Sequence, residues 1–271
     1  MTLGIIVGTL IVMSVESWPL TWLGLELNLI CFIPLTIKEE RRKRPSIIYF
    51  ICQRIGSLVI LICGLVIENN SYILPMIIIA IVIKLGAVPI HFWVPIVIPL
   101  LSTWRAFITL SWQKVAPFSL FYSVQLSKWI LSLTNVLVGA ISMMALSSII
   151  SVIIFSGIVQ IGWIFCLDGF YFWSYVCMYF LVLYPIFIYI FSSSKNFALR
   201  LFNAGGLPPF TGFFIKLGAI IRLPSWIRVF LLFSRAISLI SYTRILINNT
   251  YSINKISSFI LIPLFVGILF L

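Results

Sequence analysis

Charge is scarce in this chain, and negative charge scarcest. Only 9% of its 271 residues are charged, and six acidic residues stand against 18 lysines and arginines. A soluble domain carries about a quarter charged residues, so no ordinary water-facing surface can be built from this composition. Within the apolar runs one glutamate, Glu26, and no paired carboxylates leave no cage for a hard cation. Histidine occurs once, at His91. The five cysteines (Cys31, Cys52, Cys63, Cys166 and Cys177) lie in apolar runs with no Cys-x-x-Cys pair. That spacing argues against a metal or iron–sulfur site and suits small buried hydrophobes. There is no Gly-x-Gly-x-x-Gly after a strand and no P-loop. The chain therefore shows no means of binding a nucleotide or carrying electrons, and energy has to reach it from a partner or an ion gradient.

What is present is apolar. Hydrophobic residues make up 62% of the chain and the mean hydropathy is +1.20. Such a composition specifies an all-α polytopic membrane protein, with room for ten or eleven spans of ~20 residues. No soluble domain fits between them, so residues 1–271 are expected to form a single transmembrane domain. Met1 to Met13 has neither a charged leader nor a small-residue cleavage site, so the first segment is expected to stay as a helix. The net charge of +12 does not point to nucleic acid, because the basic residues fall in short connections between spans, where orientation rules place them.

In order, spans are expected at 2–17, 18–37, 46–66, 72–90, 100–125, 129–146, 147–166, 170–193, 197–221, 225–247 and 256–271. The one dense charge run, Lys38 to Arg44 before Pro45, is a solvated loop. With eleven spans, the loops at 38–44, 193–200 and 248–255 share a side and collect most of the basic residues. Glu68, Asp168, Lys128 and Arg222 fall on the other side. The asymmetry puts the N-terminus inside and the C-terminus outside.

Four charges lie well inside spans: Glu26, Lys84, Lys114 and Lys216. Each costs ~2.5–3.5 kcal/mol at the bilayer centre, on the order of 10 kcal/mol together, unless it faces protein, water or another charge. The bland alternative is a structural ion pair, which apolar residues can often replace. Arg105, Arg228, Arg235 and Arg244 are long enough to snorkel or to bind lipid headgroups. Lys128 and Arg222 suit helix-end anchors. Arg54 either pairs with an acid or reaches the inner surface.

The buried set favours proton handling. In a low dielectric a lysine loses much of its preference for the charged form, and a nearby carboxylate restores it. One glutamate and several lysines thus make coupled sites, in which moving one proton shifts the next. Helix breaks accompany two of the lysines. Pro89 follows Lys84 and has no N–H for the preceding turn. Pro208 and Pro209 free the carbonyls of Ala204 and Gly205, and Lys216 lies ~10–12 Å along the half-helix that follows. Interrupted helices in both halves point to a transporter's working site. His91 suits proton uptake or relay, or a plain interfacial hydrogen bond.

Four stretches carry a family resemblance: Trp22-Leu-Gly-Leu-Glu26-Leu-Asn28, Lys84-Leu-Gly-Ala-Val-Pro89-Ile-His91-Phe-Trp-Val-Pro95, Trp112-Gln-Lys114-Val-Ala-Pro117 and Gly205-Gly-Leu-Pro-Pro-Phe-Thr-Gly-Phe-Phe-Ile-Lys216. In this order they resemble the antiporter-like subunits of respiratory complex I, over about residues 18–245. The Trp112-Gln-Lys motif narrows the resemblance to a shortened animal mitochondrial type, with eleven helices of the family's fourteen.

The resemblance implies a core membrane-arm subunit that takes part in proton translocation coupled to electron transfer from NADH to ubiquinone. It places Glu26, Lys84, Lys114 and Lys216 on a hydrophilic axis. Glu26 would tune Lys84, Lys114 would relay, and Lys216 would face the exit or the next subunit. No cofactor is expected in this chain; flavin, iron–sulfur clusters and quinone would belong to partner subunits. Other membrane-arm subunits and phospholipids such as cardiolipin are the expected partners. The mitochondrial inner membrane is the expected location, with the N-terminus and the 38–44 loop on the matrix side. Relatives often carry a lysine where Ile48 stands, and basic residues or histidine around the seventh span, where this chain has Ile149, Ile150, Ser151 and Gln160. A free-standing cation/proton antiporter and a purely structural membrane subunit are the alternatives.

Overall fold

The structure, a computed structural model, describes residues 1–37, 44–66, 73–124, 128–190, 194–208 and 210–251, the side chains of 194–196 and 248–251 excepted. The expected loop at 38–44 except Arg44, which starts a helix, the turn at 68–71, Pro209 and the expected last span at 256–271 lie outside the described residues. Among the described residues there are helices and no strand. They fall into two compact units, Met1–Ser127 and Lys128–Leu271.

The first unit holds α1 (Thr2–Ser14), α2 (Trp18–Ile37), α3 (Arg44–Val66), α4 (Leu74–Leu85), α5 (Trp93–Val97), α6 (Thr103–Leu110) and α7 (Val115–Ser123). The second holds α8 (Trp129–Ala145), α9 (Ile149–Phe165), α10 (Phe170–Tyr189), α11 (Ser194–Gly205), α12 (Thr211–Arg222) and α13 (Ser225–Tyr251). Four of these, α2, α3, α10 and the Ser225–Ile247 part of α13, are long and apolar enough to cross a membrane. Shorter apolar helices, α1, α4, α8 and α9, accompany them.

Small residues set the closest helix contacts, as they do where lipid removes the hydrophobic drive between helices. A methyl group on Gly8 of α1 would stand 2.8 Å from the Gly24 carbonyl of α2. In the second unit Ser132 of α8 donates to the Gly162 carbonyl of α9 at 2.7 Å. The outer faces are apolar: Leu3, Ile130, Phe170 and Ile221 are all more than 70% exposed. Glu26, Lys84, Lys114 and Lys216 are at most 5% exposed. This is the reverse of a soluble protein.

Three expected spans are interrupted. The fourth was expected to run to residue 90, but α4 stops at Leu85, where Gly86 takes a left-handed cap (φ 65°) and its N–H returns to the Ile83 carbonyl. Pro89 lies inside the break, after a cis Val88–Pro89 bond, and does not start it. The ninth breaks between α11 and α12, with left-handed Gly206 (φ 78°) in the same place. The fifth was expected to be continuous and is not. Between α6 and α7 the chain passes Ser111 (φ −113°, ψ −84°) and a 3-10 turn, Trp112–Lys114. Pro117 then sits in the first turn of α7, where a missing N–H costs nothing.

Candidate functional site

In the first unit, α2 and α3 bring Glu26 against Arg54 and Ser57. Arg54 Nη1 donates to Oε2 and Ser57 Oγ to Oε1. Arg54 therefore pairs with the acid, one of the two roles open to it from sequence. The Glu26 side chain is 6% exposed and that of Arg54 41%. The carboxylate's hydrogen bonds thus go to α3.

Lys84 is placed by α3 as well. A methyl group on Gly56 would stand 2.9 Å from Lys84 Cγ, so the stem of the lysine lies against bare backbone. Gln53 Nε2 donates to the Lys84 carbonyl at 3.1 Å. The other carbonyls at the end of α4 are met by neutral donors. The Trp93 indole N–H reaches the Ile83 oxygen at 3.0 Å, and the Ala87 N–H reaches the Val82 oxygen at 3.1 Å. A cavity of about 10 Å³ lies beside Lys84 and is lined also by Asn28, Tyr49, Gln53 and Gln113. That is about the space one water needs. Gln113 Nε2 donates to Asn28 Oδ1 at 3.0 Å, and the Tyr49 hydroxyl approaches Gln113 Oε1 at 3.4 Å.

Lys114 ends the 3-10 turn and is 4% exposed. Its neighbour Gln113 lines the Lys84 cavity, whereas Lys114 does not. The structure thus sets Glu26 with Arg54 and Ser57, Lys84 with Asn28, Gln53 and Gln113, and Lys114 at the edge of the latter group. His91 is buried in the α4–α5 connection, its ring stacked on Phe92 at 4.6 Å.

The second unit treats its lysine differently. Lys216 Nζ reaches back from α12 to the end of α11. It donates to the Ala204 carbonyl at 2.7 Å and the Gly205 carbonyl at 3.3 Å. These are the two carbonyls that the Gly-Gly-Leu-Pro-Pro stretch was expected to free. Arg235 of α13 donates to the Gly206 carbonyl. Asn203 Oδ1 accepts from the Gly212 N–H at 3.0 Å and so caps the start of α12.

The arginines expected to snorkel or bind lipid share another task. Arg105 donates to the Thr36 carbonyl at the end of α2 at 3.2 Å. Arg228 donates to the Leu223 and Ile221 carbonyls, at 2.5 and 3.4 Å, at the end of α12. Arg244 bonds the carbonyls of Met143, Met144 and Leu146 at the end of α8. With Arg235, each meets carbonyls that a helix C-terminus leaves without an internal partner. The positive charge also matches the negative end of the helix dipole. Lys128 makes an ion pair with Asp168 at 2.9 Å. Arg222 bonds the Tyr171 hydroxyl at 2.5 Å and lies 3.5 Å over its ring.

Sequence reasoning missed the neutral members of these two groups in the first unit: Asn28, Gln53, Ser57 and Gln113. Each is an amide or hydroxyl inside a span, and that signal was readable once charge alone was not the criterion.

No protein-family model matches the chain. NADH-ubiquinone oxidoreductase chain 2 of Lumbricus terrestris is 32% identical over 262 residues, covering 84% of this chain and 78% of its own length. The protein of the same name from Lampetra fluviatilis is 32% identical over 286 residues, covering 90% and 82%. That of Metachirus nudicaudatus is 30% identical over 299 residues, covering 92% and 84%. Among solved structures, a chain of respiratory complex I from Thermus thermophilus superposes with a TM-score of 0.77 at 19% identity, covering 90% of this chain and 68% of that one. A chain of the Mrp complex from Dietzia sp. gives 0.78 at 16% identity; this chain spans 58% of its length. Both likenesses are of fold.

Proposed function

The chain belongs to the NADH-ubiquinone oxidoreductase chain 2 family, a membrane subunit of respiratory complex I, and from that premise we propose that it moves protons over Glu26, Lys84, Lys114 and Lys216. One observation carries the reading. All four charges are at most 5% exposed in a chain whose outer faces are apolar. A charge held in such a setting marks an ion or proton path by default. Glu26 with Arg54 and Ser57, and Lys84 with its amide neighbours, are the polar groups of the first unit. Lys114 relays at the edge of the Lys84 group, and Lys216 is the site of the second.

Redox chemistry belongs to partner subunits, and this chain carries no cofactor of its own. The spans form one membrane domain in the mitochondrial inner membrane, with the N-terminus and the 38–44 loop on the matrix side. The basic bias of that loop supports the orientation. Phospholipids, cardiolipin among them, cover the apolar faces.

The test is proton pumping by the purified complex in vesicles, with NADH oxidation measured in parallel. Lys84→Met is expected to lower the number of protons moved per NADH in a fully assembled complex. An unchanged ratio would leave the chain a purely structural subunit.

A further inference from the structure

The second unit contains a cavity of about 40 Å³, lined by Lys216, Ser156, Gln160, Tyr175, Asn203 and Tyr242 among others. That is room for about three waters, and the lining has the polar partners that waters need. Lys216 enters it with a defined geometry. An ammonium has three N–H donors, and two carbonyls, Ala204 and Gly205, lie within reach of Nζ. A neutral amine keeps two N–H groups, so both bonds survive when the lysine gives up its third proton. The cavity takes up the space beyond.

On the cavity wall the Tyr175 hydroxyl donates to Gln160 Oε1 at 2.6 Å. With its proton committed there, the phenol oxygen has only lone pairs left to offer. The Tyr175 ring is 3% exposed and stacks on Trp163 at 6.3 Å and 15°. Lys216 Nζ lies 5.9 Å from the centroid of the same Trp163 ring. Lys216 and Tyr175 thus line the same cavity and lie against the same indole. Neither Gln160 nor Tyr175 is among the four charges proposed to move protons.

We infer that Gln160 and Tyr175 are positioning residues, which orient the cavity water that exchanges a proton with Lys216. Gln160 holds the Tyr175 hydroxyl in one rotamer. Its lone pairs turn a water's O–H toward the tyrosine, and that water's own lone pair then faces Lys216. The N–H bond of the ammonium breaks, the proton passes to the water oxygen, and a different proton of that water leaves along the remaining cavity waters. Tyr175 and Gln160 end as they began. The inference rests on Lys216 being a proton site.

The experiment compares Lys216→Met, Tyr175→Phe, Gln160→Leu and Gln160→Glu in the intact complex in vesicles, reading protons moved per NADH as a function of pH. Tyr175→Phe keeps the ring on Trp163 and removes only the hydroxyl. The expected result is that Tyr175→Phe and Gln160→Leu lose as much of the ratio as Lys216→Met, with an altered pH profile. Gln160→Glu, which still accepts from the hydroxyl, is expected to restore it. If Lys216→Met loses protons per NADH while Tyr175→Phe and Gln160→Leu do not, the inference fails and Lys216 stands as a proton site. If Lys216→Met loses none, the reading of Lys216 fails first. Should Tyr175→Phe not assemble, the two Gln160 variants decide alone. Loss in both of them, Glu included, overturns the inference.

Discussion

The chain breaks a helix at a left-handed glycine beside a buried lysine at Gly86 and again at Gly206, and adds different side-chain donors to the exposed carbonyls. After α4 the donors are neutral: the Trp93 indole, the Gln53 amide and two backbone N–H groups. After α11 the backbone N–H groups of Gly206 and Leu207 again meet the carbonyls of Phe202 and Asn203, but the next carbonyls, of Ala204, Gly205 and Gly206, are met by cations, Lys216 and Arg235. The consequence lies in what each lysine is left to do. The Lys84 side chain lies beside the small cavity lined by Asn28, Gln53 and Gln113, and other residues supply the donors to its break. Lys216 closes its break with the same nitrogen that is proposed to handle a proton. A membrane protein can thus install a buried lysine as a bare charge or as a structural clasp, and the neighbouring donors decide which.

The sharpest way to break this comparison is to remove both ammonium groups in turn. Lys216→Met strips the donor from two buried carbonyls, each worth about 1–3 kcal/mol when left unmet. It is expected to lower the thermal stability and yield of the assembled complex as well as its pumping. Lys84→Met is expected to spare assembly and affect pumping alone, as native gels and melting curves would show. Equal loss of stability in both would erase the distinction.

A smaller effect is expected from Arg54→Leu. It leaves the Glu26 carboxylate buried with Ser57 as its remaining partner. Part of Arg54 is exposed, so the cost is about 1–2 kcal/mol rather than the larger figure for a fully buried pair. Arg54→Leu with Glu26→Gln should recover stability relative to the single variant, while pumping stays low. Melting of the two variants side by side measures it.

The glycines come next. Gly86→Ala places a side chain at φ 65° and a methyl 2.2 Å from Val94 Cγ2. A left-handed residue costs about 1–2 kcal/mol before that contact is counted. Gly206→Ala meets the flexible Lys216 stem at 3.0 Å and the Gly212 carbonyl at 3.3 Å, both looser than the Val94 contact, and should lose less; the two melting points compare them directly. Smallest is Trp93→Phe. The Ile83 carbonyl keeps the Gly86 N–H at 3.2 Å, so losing the indole donor is expected to cost about 0.5–1.5 kcal/mol. A larger loss in the same assay would mean that the indole, not the glycine turn, holds the break.

Much of this was legible from residue order. The second span was expected at 18–37 and is helix over Trp18–Ile37, and the third was expected at 46–66 and found at Arg44–Val66. An apolar run of the right length is a local property, and so is the cost of a charge inside it, which is why the four buried charges stood out. The unbroken fifth span was a wrong expectation. Lys114 lies on a 3-10 turn because Ser111 and Pro117 act together, and neither alone ends a helix with certainty.

Composition and apolar run length determined the membrane class, the bounds of unbroken spans such as 18–37 and 46–66, and which charges are interior, because each depends on ~20 consecutive residues and their transfer from water. The tertiary structure alone decided the partnerships. Arg54 takes the carboxylate first assigned to Lys84, Arg244 reaches back 100 positions to Met144, and Lys216 folds over two carbonyls 11 and 12 residues behind it. A buried polar group must find its complement wherever packing places one, and that placement depends on contacts between distant segments which no single window of sequence contains.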